Sequence, residues 1–222
     1  MKIPPLDRSL SPTLCLRPTQ YMDSATPLLM EVAKRLTVSI PGATARAVRL
    51  FEYVRNEVRY EFRPKLTRSA YVASNILTAG AGFCVQKAIA LCGLLRAVEI
   101  PSALVLCDLK DHTLSPAVVA ALGTDTLFHH GLTAIHLGGA WLLADPSLSL
   151  DVVSRKKYRR VEFDGVSDAL FPATTLAGAP HARVERFHGM YPDLPFENLQ
   201  DAFLRAYREA DAYRLAELGI RI

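Results

Sequence analysis

The sequence predicts a mixed fold in which helices come first and β-strands follow. Three observations favour this order. Apolar residues recur at helical spacing in the first hundred residues, for example over 43–59. The continuous apolar run 103–107 is typical of a buried strand. Two further extended segments, 130–137 and 140–146, flank Gly138-Gly139, which is typical of a two-residue hairpin turn.

Length and composition are those of an ordinary globular protein. The chain has 222 residues, of which 50% are hydrophobic and 22% are charged. This is enough chain for one sizeable core or two small ones, and the sequence is too apolar for a disordered protein. No break in composition marks a second domain, so we expect one domain over residues 1–222.

Charge and hydropathy argue against a nucleic acid or a membrane as partner. The net charge of +4 is spread along the sequence, apart from a basic run at 155–160 that we interpret as a solvated surface loop. No nucleic-acid motif accompanies that run. The sequence also lacks a stretch of about 18 consecutive apolar residues, so no membrane crossing is predicted.

The cysteines and the N-terminus favour the cytoplasm. The cysteines, Cys15, Cys84, Cys92 and Cys107, lie far apart and form no C-x-x-C pair. Such a distribution is typical of free thiols in a reducing compartment. Prolines and an acid interrupt residues 1–7, so we expect no secretory signal.

Helices are predicted in the first part of the chain. Thr26-Pro27 is typical of the N-cap and first position of a helix. Apolar residues three and four apart predict further helices over about 43–59, 69–78 and 84–98. Residues 1–22 are aperiodic, and we interpret them as an arm or an edge strand.

Strands are expected to predominate after residue 100. The buried strand 103–107 is followed by a polar excursion with a helix at about 116–122, and such excursions often cover or shape a site. After the hairpin, 158–163 is interpreted as a further strand. Residues 164–196 are rich in loops and proline, and a final helix is predicted over about 197–217.

The segment Gly80–Ala88 places a cysteine at the start of a helix. Small residues form a turn, and a helix-forming sequence begins at Cys84. At a helix N-terminus the backbone N–H groups and the helix dipole favour the thiolate, which is the nucleophilic form. Cys84 is therefore a candidate nucleophile, and a buried, space-filling cysteine is the alternative. Cys92 and Cys107 are interpreted as packing residues.

The hairpin register selects partners for this thiol. With Gly138-Gly139 as the turn, Leu132 stands opposite Asp145. Side chains alternate between the two faces of a sheet, so His130 shares a face with Asp145. The two residues are diagonal neighbours, about 7–8 Å apart between Cα atoms, which allows an imidazole to reach a carboxylate.

Two other histidines of this strand are less well placed. His136 lies roughly 20 Å from His130, near the turn, and His129 points to the opposite face. A cysteine nucleophile needs a base and a group that orients the base. His130 and Asp145 are the predicted pair, and a register error of one residue would undo the assignment.

Taken together, these residues resemble the core of the transglutaminase-like superfamily, which shares the papain-like cysteine-protease arrangement. The likeness covers about residues 45–150 and is to a small, single-domain member of the bacterial type. The matching motifs, in order, are Gly82-Phe83-Cys84, Leu94-Leu95-Arg96-Ala97, Ile100-Pro101, His130, Gly139-Ala140-Trp141 and Asp145-Pro146.

The chain also departs from the family pattern. Leu132 and Ala134 stand where the family often has an aromatic residue and an acid. These positions shape the entrance to the site, so the departure leaves the substrate class less constrained than the chemistry.

The resemblance implies an α+β fold. In it, N-terminal helices and a central helix bearing Cys84 pack on an antiparallel β-sheet bearing His130 and Asp145. Residues 1–44 would form an N-terminal helical part, and 151–222 would form a loop-rich extension with the C-terminal helix.

The predicted function is acyl transfer through a thioester on Cys84, with no cofactor. His130 would transfer the protons, and Asp145 would orient the imidazole. We expect hydrolysis of an amide or peptide bond, and the alternative is transfer of the acyl group to an amine. The partner would be a peptide, a protein or a small amide.

Other residues are weaker candidates for the site. The backbone N–H of Cys84 is a natural oxyanion donor, and Asn75 or Thr78 could supply a second donor. Leu132 and Trp141 are candidates for substrate binding.

Two other classes of function, a metal site and a binding module without catalysis, are less favoured by the sequence. A metal site built from Cys84, His129, His130 and His136 matches no known ligand motif, and the strand geometry would disperse these residues, so no metal is predicted. A non-catalytic binding module could keep the same fold. All three residue types of a Cys–His–Asp triad are present, however, which favours an enzyme.

Overall fold

A buried helix and a four-stranded antiparallel sheet form the centre of the fold. The structure is a computed structural model that describes residues 5–62 and 67–207. Within these ranges the α-helices are α1 (Pro27–Thr37), α2 (Ala43–Glu57), α3 (Ala73–Ala79), α4 (Cys84–Arg96), α5 (Pro116–Leu122), α6 (Leu150–Lys156) and α7 (Phe196–Ala206). The strands are β1 (Arg59–Tyr60), β2 (Ala81–Gly82), β3 (Ser102–Asp111), β4 (Thr126–Leu137), β5 (Ala140–Ala144) and β6 (Ala182–Tyr191).

Helix α4 is the centre of the packing. Every residue from Cys84 to Arg96 is buried, and a helix that is apolar on all sides has to be covered on all sides. Helices α1, α2 and α3 pack against it, and so do strands β3 and β4. At its end, the Arg96 guanidinium donates to the backbone oxygens of Arg17, Ser102 and Pro192, so the buried charge is hydrogen-bonded. The predicted α+β fold, with a cysteine-bearing helix packed on an antiparallel sheet, is confirmed.

The sheet has the strand order β5-β4-β3-β6, and every neighbouring pair is antiparallel. The hairpin between β4 and β5 has the predicted register, in which Leu137 pairs with Ala140 and His136 with Trp141. Gly138 and Gly139 both adopt a left-handed backbone, with φ of 57° and 85°. A two-residue turn of this kind requires positive φ at both positions, which explains the two glycines.

The chain after the hairpin differs from the sequence prediction. The segment 158–163 is not a strand, although Tyr158, Val161 and Phe163 are buried against the core. Strand β6 lies instead in the region predicted as loop, and it pairs with β3 at the edge of the sheet. Much of an edge strand faces solvent, so β6 lacks the alternation of apolar and polar residues that identifies a strand. Segment 158–163 has apolar residues that resemble such an alternation, although it is not a strand.

Smaller corrections concern the helices and the N-terminus. Residues 5–22 contain a short 3-10 helix, Leu14–Leu16, and no strand. The sequence did not predict α6, whose last turn includes Arg155 and Lys156, so the basic run begins in a helix and not in a loop. Helix α7 confirms the start of the predicted C-terminal helix, and the rest of that prediction lies outside the described residues. None of the helices in the described ranges is long and apolar enough to cross a membrane.

Candidate active site

The N-terminus of α4 fixes the position of Cys84. Gly80, with a φ of 62°, ends α3 in a left-handed conformation, and α4 begins at Cys84. The Gln86 side chain holds this turn, since its Oε1 accepts from the Phe83 N–H at 3.1 Å and its Nε2 donates to the Ala70 oxygen at 2.7 Å. The thiol is therefore carried by a helix start that both ends of one amide side chain tie down.

Gly131 allows α4 to lie directly on strand β4. A Cβ atom at this position would lie 2.5 Å from the Val85 Cα and 3.2 Å from the Cys84 carbonyl carbon. Only a residue without a side chain permits this approach of two backbones. Because Gly131 follows His130 directly, the contact also brings the histidine beside the start of the cysteine helix.

His130 and Asp145 form a buried pair. His130 Nε2 lies 2.7 Å from Asp145 Oδ2, and each side chain is 1% exposed. A carboxylate can only accept, so Nε2 carries the hydrogen of this bond. The other carboxylate oxygen, Oδ1, accepts from the Ser147 N–H at 2.9 Å and from the Ser147 hydroxyl. Both oxygens of Asp145 thus have fixed partners, and the acid holds the ring in one orientation.

The protonation of His130 depends on two negative charges. Burial lowers the pKa of His130, but the charges of Cys84 and Asp145 outweigh burial and raise that pKa well above its ordinary value. Its Nδ1 is buried and has no partner at full hydrogen-bond geometry among the described residues, and Cys84 raises the pKa of the ring both by its charge and by a hydrogen bond to it. Since Nε2 is bonded to Asp145, Nδ1 is the nitrogen left to exchange a proton with the thiol. The His130 ring can therefore hold its proton as an imidazolium in spite of its burial.

An apolar cavity of about 570 Å³ adjoins the pair and has Asp145, Leu132, Leu109 and Val184 in its wall. Phe171 also lines it, and the ring of Phe171 lies 5.6 Å from that of His130. Cys84 itself is only 4% exposed. Cys84, His130 and Asp145 therefore sit beneath a mainly apolar surface, and charges interact more strongly in such surroundings than in water.

Two buried polar residues surround the first turn of α4. The Lys87 ammonium donates to the backbone oxygens of Arg55, at 3.0 Å, and Val58, at 2.5 Å. Burial lowers the pKa of Lys87 to about 7, against the attraction of Asp145. Burial also raises the pKa of Tyr60 well above its ordinary value, and the charges of Cys84 and Asp145 raise it further. Tyr60 is therefore a neutral hydroxyl in the surroundings of the thiol.

The predicted second oxyanion donors are engaged elsewhere. The Asn75 amide donates to the Ser69 oxygen at 2.9 Å, and the Thr78 hydroxyl donates to the Ser74 oxygen at 2.9 Å. Both hydrogen bonds stay within α3 and the turn before it. Asn75 and Thr78 as oxyanion donors remain predictions.

The two predicted substrate-binding residues lie in different places. Leu132 lines the cavity beside Asp145. Trp141 lies towards the other end of the hairpin, where its ring contacts that of His136 at 5.1 Å and its indole N–H donates to the Leu10 oxygen at 3.1 Å. Four residues of strand, about 13 Å, separate Trp141 from Asp145. The structure brings Leu132 to the site but not Trp141.

Sequence reasoning did not identify Gly131, Tyr60 or Ser147 as parts of the site. Gly131 carries a signal that could have been used, because a glycine inside a strand often marks a close approach of another backbone. Ser147 also carries one, because it stands two residues after an acid, as in an Asx turn. Nothing in the sequence pattern around Tyr60 connects it with Cys84.

Comparison of the sequence with models of known protein families gives a match. The model of the transglutaminase-like superfamily matches residues 30–146, which is more than half of the chain and includes Cys84, His130 and Asp145. At the level of the superfamily, this match supports a thiol-dependent enzyme. No curated protein matches the chain.

Two solved structures are similar in part. One is a candidate cysteine protease from Cytophaga hutchinsonii, with a TM-score of 0.49 and 20% identity over 82% of this chain and 55% of that chain. Another is a candidate protease from Parabacteroides distasonis, with a TM-score of 0.39 and 15% identity over 73% of this chain and 30% of that chain. The chain thus spans about half the length of the first protein and less than a third of the second.

Proposed function

This chain belongs to the transglutaminase-like superfamily, and we propose that it is an acyl-transfer enzyme in which Cys84 is the nucleophile. His130 would be the general base and acid, and Asp145 would orient it. The substrate class would be an amide or a peptide, and water would accept the acyl group. We further propose that the chain is a single domain, because one continuous apolar core extends from Cys15 to Phe203.

The observation that carries the proposal is the buried hydrogen bond of 2.7 Å between His130 and Asp145, next to the start of the cysteine helix. A buried ion pair is expensive to maintain, and structural stability alone seldom favours one. Here the second ring nitrogen, Nδ1, has no partner among the described residues other than Cys84. This is the arrangement that a thiol nucleophile needs, namely a base and a group that orients the base.

The first half-reaction would form a thioester. The Cys84 thiolate attacks the carbonyl carbon, a C–S bond forms, and the π electrons move to the carbonyl oxygen. When the oxyanion collapses, the C–N bond breaks, and His130 transfers its proton from Nδ1 to the leaving amine. Asp145 keeps Nε2 bonded throughout and stabilises the imidazolium.

The oxyanion needs donors that are fixed before the reaction. The Cys84 N–H is one of the first N–H groups of α4, which have no partner inside the helix. We propose the Tyr60 hydroxyl as a second donor, because β1 pairs Tyr60 with Gly82, two residues before Cys84, and burial keeps the hydroxyl protonated there. The variant Tyr60→Phe removes only the hydroxyl. It should lower kcat with little change in KM, since an oxyanion donor acts mainly in the transition state.

The second half-reaction would regenerate the enzyme. His130, now neutral, takes a proton from water, and the resulting hydroxide equivalent attacks the thioester carbonyl. The C–S bond breaks, which returns the thiolate beside the imidazolium and releases a carboxylic acid. An amine in place of water would give a new amide, and this alternative uses the same thioester.

The experiment that tests the proposal is detection of the acyl-enzyme. The protein and its Cys84→Ala variant would be incubated with a panel of peptides, small amides and thioester-forming activated esters, and their intact masses measured. The expected result is one acyl adduct on Cys84 and none on the variant. Added glycine amide separates the acceptors, because a new amide product indicates transfer and an acid product indicates hydrolysis.

Alkylation gives an independent control within the same chain. Burial raises the pKa of Cys92 to about 12 and also raises that of Cys107, so both thiols should react slowly with iodoacetamide. Cys84 should react faster than either near neutral pH. Equal reaction of the three thiols, or an acyl adduct that survives in Cys84→Ala, would show that Cys84 is not the nucleophile.

A further inference from the structure

A second cluster of ionisable side chains lies on the other face of the sheet. It consists of Asp108 on β3, His129 on β4 and His188 on β6, which are neighbouring strands with β3 in the middle. The proposed acyl-transfer chemistry uses none of these residues. His129 is adjacent to His130 in sequence, but the two side chains diverge, because the ring of His129 stacks on that of His188 whereas His130 is bonded to Asp145.

The three side chains converge closely. His188 Nε2 lies 2.7 Å from Asp108 Oδ1, and His129 Nδ1 lies 4.0 Å from the same oxygen. One potential ligand atom from each residue falls within 4.8 Å of the other two. Two imidazole nitrogens and a carboxylate oxygen are the ligand types of three-ligand zinc sites, and the wider of these separations would have to shorten to about 3.3 Å around an ion with bonds of about 2.0 Å.

Irregularities in the sheet accompany this convergence. The β3–β4 pairing shifts between Cys107 and Leu109, so Asp108 faces a bulge. The β3–β6 pairing shifts on both sides of this point, and the shift between Leu106 and Cys107 leaves His188 without a partner in the register. His129 has a φ of 53°, a left-handed conformation that is unfavourable for a residue other than glycine. Bulges and strained residues in sheets are common where a side chain has to be directed to a functional site.

One nitrogen of the cluster, His129 Nδ1, lacks a hydrogen-bond partner among the described residues. This nitrogen is buried. A buried polar atom without a partner is destabilising, and a strained backbone beside it adds to the cost. A bound cation would satisfy this nitrogen.

We propose that Asp108, His129 and His188 bind a divalent transition-metal ion such as Zn²⁺. Neutral imidazoles and a carboxylate suit this class of ion, whereas Mg²⁺ and Ca²⁺ prefer sites made only of oxygen. Binding requires His188 Nε2 to give up its hydrogen, which the neutral ring can carry on Nδ1 instead.

Metal binding also requires a rotation of the rings. His129 and His188 are stacked, with ring centroids 3.9 Å apart and an angle of 19° between the planes. A nitrogen lone pair lies in the plane of its ring, so two stacked rings cannot both point at one ion until at least one turns. The adjoining cavity of about 540 Å³ offers room for that rotation.

The same cavity predicts the kind of fourth ligand. Its wall includes Arg186 and Arg205 besides the three proposed ligands. Three protein ligands leave a tetrahedral ion with one open position. The two guanidinium groups favour an anion there, for example a carboxylate or hydroxide, over a neutral ligand.

The test is a titration of metal-stripped protein with ZnSO₄, followed by calorimetry, and with CoCl₂, followed by visible absorption. Cys84→Ala is the background for every sample, so that the thiol and His130 cannot form a competing site. Further changes to it are His188→Gln, Asp108→Asn and, as a matched control on the same strand as His129, His136→Gln. We expect one ion per chain, and an affinity at least about tenfold lower in His188→Gln and Asp108→Asn but not in His136→Gln.

Several results would overturn the proposal. These are no stoichiometric binding in the Cys84→Ala background, binding that survives in both His188→Gln and Asp108→Asn, or a cobalt spectrum without nitrogen ligation. Circular dichroism of each variant, and the rise in melting temperature on adding Zn²⁺, show whether a lost site reflects lost ligands or a lost fold.

Discussion

His129 and His130 are consecutive residues whose environments on opposite faces of β4 differ in almost every respect. His130 is 1% exposed and bonded to Asp145, and its pKa is raised well above the ordinary value. The His129 side chain is 16% exposed and stacked on His188, and its pKa is lowered to about 4. The more deeply buried histidine is thus the one that holds its proton more firmly.

The charges that face each ring explain this reversal. Burial lowers the pKa of both histidines. For His130 the negative charges of Cys84 and Asp145 exceed that effect. For His129, His188 lowers the pKa further, Asp108 opposes it, and Arg186 and Arg205 add to the lowering. The comparison teaches that the partners a histidine faces, more than its depth, decide whether it suits proton transfer or can serve as a neutral ligand.

The largest effect on kcat should come from removing the charge of Asp145, the acid on the His130 face of β4. Asp145→Asn keeps the shape of the side chain but removes the charge that orients and stabilises the imidazolium, so kcat should fall by about 10⁴-fold. Zn²⁺ affinity should stay within about twofold of the parent, because Asp108 is on the other face. Steady-state kinetics on Asp145→Asn check the first statement, and calorimetry on Asp145→Asn in the Cys84→Ala background checks the second. An equal loss at both sites would mean that the two faces are not independent.

The contact between α4 and β4 at Gly131 should affect the acyl-transfer site more than the proposed metal site. Gly131→Ala places a methyl group against the Val85 backbone, which should cost about 1–3 kcal/mol of unfolding free energy. The thiol would move relative to His130, and a displacement of about 1 Å can lower kcat by about 10²-fold. Urea unfolding and kinetics measure the two effects. Activity equal to that of the parent would show that this contact does not position Cys84.

The raised pKa of His130 should depend on the charge of Cys84. In Cys84→Ala, burial still lowers that pKa while only Asp145 raises it, so the pKa of His130 should fall. A raised pKa means that the imidazolium persists as the pH increases and is lost only as the pH passes the folded-state value. The variant should therefore lose it at lower pH. Ring-resolved NMR titration measures the shift, and the pKa of His129 should remain about 4 in both proteins.

The smallest expected effect concerns His129 and stability in acid. Its folded-state pKa, about 4, lies below the ordinary value of 6.5, so the unfolded chain binds more protons between these pH values. Stability should fall as the pH drops through this range. Solvent screening limits the difference to about 2–4 °C in melting temperature. His129→Gln should show a flatter pH dependence than the parent, and His136→Gln should not.

Much of the proposed active site could be predicted because it depends on local patterns. The small-residue turn before Cys84 marks a helix start, and Gly138-Gly139 sets the register of the hairpin. With this register, the alternation of side chains places His130 and Asp145 on one face of the sheet. In the structure, His130 Nε2 lies 2.7 Å from Asp145 Oδ2.

The second face could not be predicted, because it depends on a long-range pairing. Asp108 lies on β3 and His188 lies on β6, 80 residues later in the sequence. The two side chains meet only because β6 pairs with β3. As an edge strand with exposed charges, β6 gives no apolar alternation, and a bulge moves its residues out of simple register. Gly131 was likewise visible as a glycine in a strand, but its partner, Val85, becomes apparent only in three dimensions.

The alternation of His129 and His130 along β4 has a consequence for how this protein can evolve. Point substitutions can alter the residues on one face of the strand and leave the other face intact, so the two sites can acquire or lose their chemistry separately. A single residue inserted or deleted within β4 would exchange the faces of the two histidines and destroy both sites at once. Length changes should therefore be confined to the connections around α5, while β4 itself keeps its length.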